Sequence, residues 1–187
     1  GKGAHTGLIT TQGFRDVLEF RRVRFPELYN LSYLKPKPLV ERRDRLEVIE
    51  RVSANGSVRI KLDETSVVSA ALKLKERGVK AVAICLLHSY INPSHEKRVE
   101  EIIRDVMPAD TFVCCSYDVL PEIREYERTS TTVVNAYLGP VLSHYLGQLR
   151  KQLNDIKVLS PLYVMQSGGG QMSDSAAMNL PAYFVES

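Results

Sequence analysis

No stretch of this chain approaches the roughly 18 to 20 uninterrupted apolar residues that a membrane-spanning helix needs, and its N-terminus carries no signal-peptide pattern. Cysteine is scarce. The three present, Cys85, Cys114 and Cys115, exclude a disulfide framework and offer no CxxC metal spacing, so a reducing cytoplasm is the plain reading. Charge of one sign is lacking too: the formal net charge is +3, and between Arg15 and Arg51 ten Lys or Arg against seven Asp or Glu account for the whole excess. Cations interleaved with carboxylates make a solvated or partner-facing surface, not the clustered patch with stacking aromatics that nucleic acid requires. Internal repeats and low-complexity tracts are absent. So is an initiator methionine: Gly1, Lys2 and Gly3 open the chain, while Ser187 follows an apolar run of Tyr183, Phe184 and Val185 that reads as a strand cut mid-element. The expectation is an excised piece, inactive alone.

What is present is an ordinary globular composition. With 187 residues, 44% apolar and 25% charged, the chain can bury one substantial core or one and a half. GLITTQGF (7–14) reads as a strand turning into a helix carrying Phe14, Val17 and Leu18. The segment 25–39 holds Pro26, Pro36 and Pro38 and reads as a surface connection. Leu46–Val52 and Val58–Leu62 flank an Asn55-Gly56 turn and predict a hairpin. Asp63 is placed to cap a helix that stops at Gly78, Lys80–Leu87 (KAVAICLL) suits a strand covered on both faces, and Asn92-Pro93 opens the next helix. Thr111–Ser116 then gives another strand. This rhythm predicts an α/β fold with a mixed, partly parallel sheet and flanking helices. From Pro121 to Leu153 one apolar stripe predicts helix, interrupted at Gly139-Pro140, so that two helices or a kinked one are expected. PLYVMQ (161–166) is a further strand candidate, leading into Ser167, Gly168, Gly169 and Gly170 and a helical Ser173–Met178, where a second lobe is expected to begin.

Three constellations could carry chemistry. REYERTSTTVVNAY (124–137) gathers Arg124, Glu125, Glu127, Arg128, Ser130, Thr131 and Asn135; it suits either surface pairs and capping or a phosphorylated or carboxylate-bearing ligand. HSYINPSHE (88–96) follows the apolar strand, where open α/β sheets bind ligands. Its His88 and His95 are seven apart with no third ligand in view, so no metal is expected, and helix capping by Asn92 accounts for most of the motif. Ser167, Gly168 and Gly169 could bring backbone amides to an anion, or form a plain turn without the Lys-Ser/Thr ending of a P-loop. Cys114 and Cys115 read as strand residues.

Taken in order, GLITTQGFRDVLEF, RFPELYNL, KPKPLV, AICLLHSYINPSHE, LPEIREYERTSTTVVNAYLGP, MQSGGG and the terminal ES resemble the hydantoinase/oxoprolinase family, A-subunit type, across nearly the whole chain. RRDRLEVIERVSANGSVRIKLDE is similar to the hydantoin-utilisation and ketone-carboxylase subunits in particular. The resemblance implies a fragment of an actin-like ATPase (ribonuclease H-like) architecture, with 1–118 the back part of the family's N-terminal region and 119–187 the start of the following domain. It implies ATP and Mg²⁺ in the full-length enzyme, phosphorylation of a cyclic amide so that its ring opens, and a B-type partner subunit. A homo-oligomer is also within its scope. Relatives carboxylate acetone or acetophenone instead, and a non-catalytic module docking a partner is the rival of another class. The family's Asp-Gly-Gly-Thr phosphate loop would lie upstream of Gly1 and its Glu-Ser-Gly-Pro stretch would begin at Glu186. The cleft side is expected to be formed by Thr10, Thr11 and Arg15, by His88, Asn92 and His95, and by Glu125 to Asn135, with Arg124 and Arg128 or their neighbours facing substrate or phosphate.

Overall fold

The apolar run at 80–87 forms β5 (Ala81–Cys85), and its alternation sets the layers of the molecule. The computed structural model describes residues 3–22, 29–30, 32–34 and 36–184. Val82, Ile84 and Leu86 pack with Leu74, Val99 and Ile103 in one core, whereas Ala81, Ala83 and Cys85 pack with Val133 and Ala136 in a second. The two cores lie on opposite faces of a four-stranded sheet ordered β2-β1-β5-β6, with β1 at Thr6–Thr11, β2 at Arg45–Val48 and β6 at Phe112–Cys115. Every pairing in it is parallel, Ile9 lying opposite both Leu46 and Ile84. A parallel sheet needs cover on both faces, which is why β5 (AVAIC) and β6 (FVCC) are apolar throughout. Helices α2 (Glu64–Glu76) and α3 (Ser94–Val106) cover the first core, and α5 (Glu125–Asp155) the second, beside the short α1 (Val17–Phe20) and α4 (Ser116–Val119).

The expected α/β class with flanking helices holds, and the antiparallel part is confined to two small hairpins. β3 (Arg51–Val52) pairs with β4 (Val58–Ile60) around the Asn55-Gly56 turn, where Gly56 has φ 83°. The run Leu46–Val52 is not one hairpin strand: its first half joins the parallel sheet and only Arg51–Val52 enters the hairpin, because Val48 is fully buried beside β1. Asp63 caps α2 by accepting from the Thr65 N–H at 3.0 Å, and Gly78 follows with φ 69°. At α3 the capping residue is Pro93, while Asn92 Oδ1 accepts from the Ser94 N–H at 3.1 Å. The described residues between 29 and 39 form no helix or strand; Pro26 lies outside them.

Pro140 does not divide the long helix, which runs 31 residues through it. Proline forfeits the bond to the Ala136 carbonyl, and the helix continues past it with Ala136 and Gly139 buried on one side and Leu146 on the other. A Cβ on Gly139 would come within 2.5 Å of the Phe112 ring, so the close approach of α5 to β6 requires glycine there. The SGGG segment takes the plain-turn alternative, with a short strand after it that the sequence did not suggest. It turns a hairpin, β7 (Tyr163–Met165) to β8 (Gln171–Ser173), so a strand separates it from α6 (Asp174–Asn179). Tyr183 and Phe184 belong to a 3₁₀ turn (Pro181–Phe184), not a strand, since Asn135 ties down that turn by accepting from the Ala182 N–H at 3.1 Å; Val185, Glu186 and Ser187 lie outside the described residues.

Candidate functional site

From β1 the chain winds to β2 on one side and returns to β5 on the other, so the strand order reverses between β1 and β5. Open parallel sheets leave a crevice at the carboxyl ends of the strands at such a point. Here the chain's own polar side chains fill it. Thr11, fully buried at the end of β1, donates to Glu50 and accepts from the Leu87 N–H at 3.0 Å. Glu50 also meets His95 Nδ1 at 2.7 Å. Beside them Glu96, on the first turn of α3 and fully buried, accepts from the Leu86 N–H at 2.7 Å, the Ser116 hydroxyl at 2.7 Å and the Tyr117 N–H at 3.1 Å. Arg128, reaching down from α5, donates to the Leu86 carbonyl at 2.7 Å and to Ser89 at 3.0 Å, and stacks over Tyr90 at 5.3 Å.

The electrostatics follow from burial. Desolvation pushes the Glu96 carboxyl above its ordinary range, opposed by its three donors and by the Arg128 charge. Burial likewise raises the Cys85 and Cys115 thiols and pushes Cys114 up to about 12. Such thiols stay protonated and unreactive at neutral pH. In the folded protein, Cys85, Cys114 and Cys115 should therefore resist iodoacetamide at pH 8 and become labelled after urea unfolding, as read by peptide mass mapping; labelling of Cys85 at the rate of a free thiol would contradict this packing.

The structure separates the candidates read from sequence. Thr11, His95 and Arg128 meet in or beside the buried network, and Thr10 is buried in β1. His88 holds a left-handed φ of 56° and binds the Val52 carbonyl through Nδ1 at 2.9 Å, and Asn92 donates to the Gly56 carbonyl at 2.8 Å, so both fasten the β3-β4 hairpin to the end of β5. Asn135 is buried, donating to the Asn179 carbonyl at 3.0 Å while it holds the 3₁₀ turn. Arg124 (φ 88°) and Glu125 line an open cleft of about 510 Å³ with Arg21, Arg22, Tyr126 and Glu127, in which Arg22 and Glu127 form an ion pair. Ser130 lines a smaller cavity beside Leu18 and Val133, and Thr131 is half-buried on α5. Arg15 lies apart, against β2 and α2. Ser167, Gly168 and Gly169 are exposed on their hairpin. Sequence reading missed Glu50, Ser89, Glu96 and Ser116. Two of these stand inside HSYINPSHE, where the histidines drew attention; Glu50 is a carboxylate in the middle of a β-leaning run, a signal of its own.

Among the described residues, no three His, Cys, Asp or Glu side chains converge to hold a metal ion.

The description "hydantoinase/oxoprolinase N-terminal region" matches residues 1–107, and "hydantoinase/oxoprolinase" matches 128–187. The chain belongs to the hydantoinase/oxoprolinase family. It is 47% identical over 180 residues to an uncharacterized protein of Methanocaldococcus jannaschii, covering 96% of this chain and 26% of that one. Identity is 39% over 170 residues to the caprolactamase subunit alpha of Pseudomonas jessenii (90% of this chain, 24% of that). It is 35% over 181 residues to the acetophenone carboxylase gamma subunit of Aromatoleum aromaticum (90% and 25%). The crystal structure of the ATP-dependent caprolactamase from Pseudomonas jessenii superposes with a TM-score of 0.86 at 36% identity, over 97% of this chain and 27% of that chain. This family member thus spans about a quarter of the length of these three relatives. Its α/β architecture fits the expected fragment of an actin-like ATPase. No helix among the described residues is long and apolar enough to cross a membrane.

Proposed function

We propose that this chain is a segment of a cytoplasmic, ATP-dependent enzyme that opens a cyclic amide of the hydantoin or 5-oxoproline class, working with a B-type partner subunit and with Mg²⁺ beside the nucleotide. The observation that carries the reading is the likeness, in sequence and in fold over 97% of the chain, to an ATP-dependent caprolactamase, a lactam-opening enzyme by its name. The names of two relatives as alpha and gamma subunits support a partner subunit. Within the same proposal, residues 1–118 belong to the N-terminal region and 119–187 open the next domain. The buried network acts as the rigid frame, and Arg124 and Glu125, open to solvent at the start of α5, are the candidates that touch ligand directly. Arg128, Thr11 and Asn135 act through position, since their side chains are already engaged inside the protein.

The test is ATP hydrolysis by the full-length protein with its partner subunit, supplied in turn with hydantoin, 5-oxoproline, caprolactam, and acetone or acetophenone with bicarbonate. Turnover stimulated by a cyclic amide is the expected result. Stimulation by a ketone with bicarbonate alone would replace it with the carboxylase reading, for which the acetophenone carboxylase gamma subunit at 35% identity is the precedent. Stimulation by none of them would leave the docking module.

A further inference from the structure

One pair in the buried network leaves a titratable nitrogen free. Glu50, its side chain fully buried, is held at both oxygens: Oε1 accepts from the Thr11 hydroxyl, and Oε2 meets His95 Nδ1 at 2.7 Å. The direction of each bond is fixed. Thr11 Oγ1 accepts from the Leu87 N–H at 3.0 Å, so the hydroxyl directs its own proton at Glu50, and a carboxylate that only accepts takes its second bond from an imidazole N–H. Nδ1 therefore carries hydrogen, and in the neutral ring the lone pair lies on Nε2. That nitrogen makes no hydrogen bond among the described residues and is not enclosed by them, the side chain keeping 12% of its surface in solvent.

Its place in the fold matters as much. His95 stands on the first turn of α3 and Thr11 ends β1, at the carboxyl edge of the sheet where the strand order reverses between β1 and β5. In a contact that only joined α3 to the chain after β2, an open second nitrogen would be idle. For a proton acceptor it is the working atom, and the anchored carboxylate sets the tautomer that exposes it. The geometry points to His95 as the general base that takes a proton from a water attacking the amide carbon, with Glu50 and Thr11 as the positioning residues behind it. The imidazolium so formed returns the proton to the departing ring nitrogen as the carbon–nitrogen bond breaks, so that one water adds across one amide bond. This role rests on the ring-opening reading.

The full-length protein with its partner subunit tests it in two ways. Diethyl pyrocarbonate, which attacks an open imidazole nitrogen, should modify His95 in the folded protein, as read by peptide mass mapping. Modification only after urea unfolding overturns the proposal whatever the substrate. In turnover of a cyclic amide, His95→Gln should lower kcat by about a hundredfold or more with little change in KM, counted per folded molecule from the urea midpoint. Glu50→Gln should lower kcat as well, because its amide can donate to Nδ1 and so place the ring proton on Nε2. Added imidazole should restore turnover to His95→Gly; a loss that imidazole leaves unrestored assigns His95 to packing and overturns the proposal. A His95→Gln protein with the parent's kcat strikes this role and leaves the ring-opening reading standing, whereas a parent that opens no cyclic amide strikes both.

Discussion

Replacing Arg128 by alanine is expected to destabilise the protein by about 3–5 kcal/mol, as removal of one partner from a buried charged cluster does. The substitution takes one of two donors from the Leu86 carbonyl, the Ser89 hydroxyl at 3.1 Å being the other, removes the guanidinium from Ser89, strips Tyr90 of its stacked cation, and withdraws the charge that offsets Glu96. Urea unfolding should show a lowered midpoint at an unchanged slope. Arg128→Lys should recover part of the loss, because an ammonium restores the charge without the two-pronged geometry that reaches Leu86 and Ser89 together. An alanine variant within about 1 kcal/mol of the parent would mean that water replaces the guanidinium, and the frame at the sheet edge would not be rigid. Activity separates the two arginines of this helix. Turnover in Arg128→Ala should fall with the folded fraction, whereas Arg124→Ala, at an exposed position, should lower kcat/KM with stability intact.

The strands and the two covering helices were legible because each is written in local terms: alternation in KAVAICLL, an Asp cap with a Gly stop for α2, an Asn-Pro opening for α3. The misread elements are those decided by distant partners. Leu46–Val52 divides because one half finds β1 beside it, and nothing in its own residues says so. Pro140 reads as a division or a kink, and of the two the division is absent: α5 continues through it with Ala136 and Gly139 buried on the sheet. The site shows the same division. The sequence flagged His88, Asn92, His95 and Arg128 by residue type, but the burial that makes Arg128 and Glu96 a single unit joins residues 32 apart in the chain. Arg45 looked like one cation among ten in a mixed-charge stretch, and only its burial against Val40 and Glu19 leaves Nη1 without a hydrogen bond.

Glu96→Ala should cost about 2–6 kcal/mol, since it orphans the Leu86 and Tyr117 amides, each a buried donor worth about 1–3 kcal/mol when unmet, and leaves the Ser116 hydroxyl only Ser89 at 3.0 Å. The more telling variant is Glu96→Gln, which keeps the volume and titrates nowhere. Burial raises the Glu96 pKa in the folded protein above the ordinary 4.5 of a free glutamate, so at pH values between the two the native state holds the extra proton. Stability from this group is thus complete below about pH 4.5 and declines as pH rises through the folded pKa, the opposite of a surface carboxylate paired with arginine. Glutamine carries no such dependence, so the deficit of Glu96→Gln against the parent should be greatest in acid and narrow toward neutrality. Urea midpoints at a series of pH values measure it. A deficit that widens with pH would show that the three donors and Arg128 outweigh desolvation, making Glu96 a firmly ionised partner of Arg128; a narrowing one identifies Glu96 as a proton-holding group at the reversal point of the sheet.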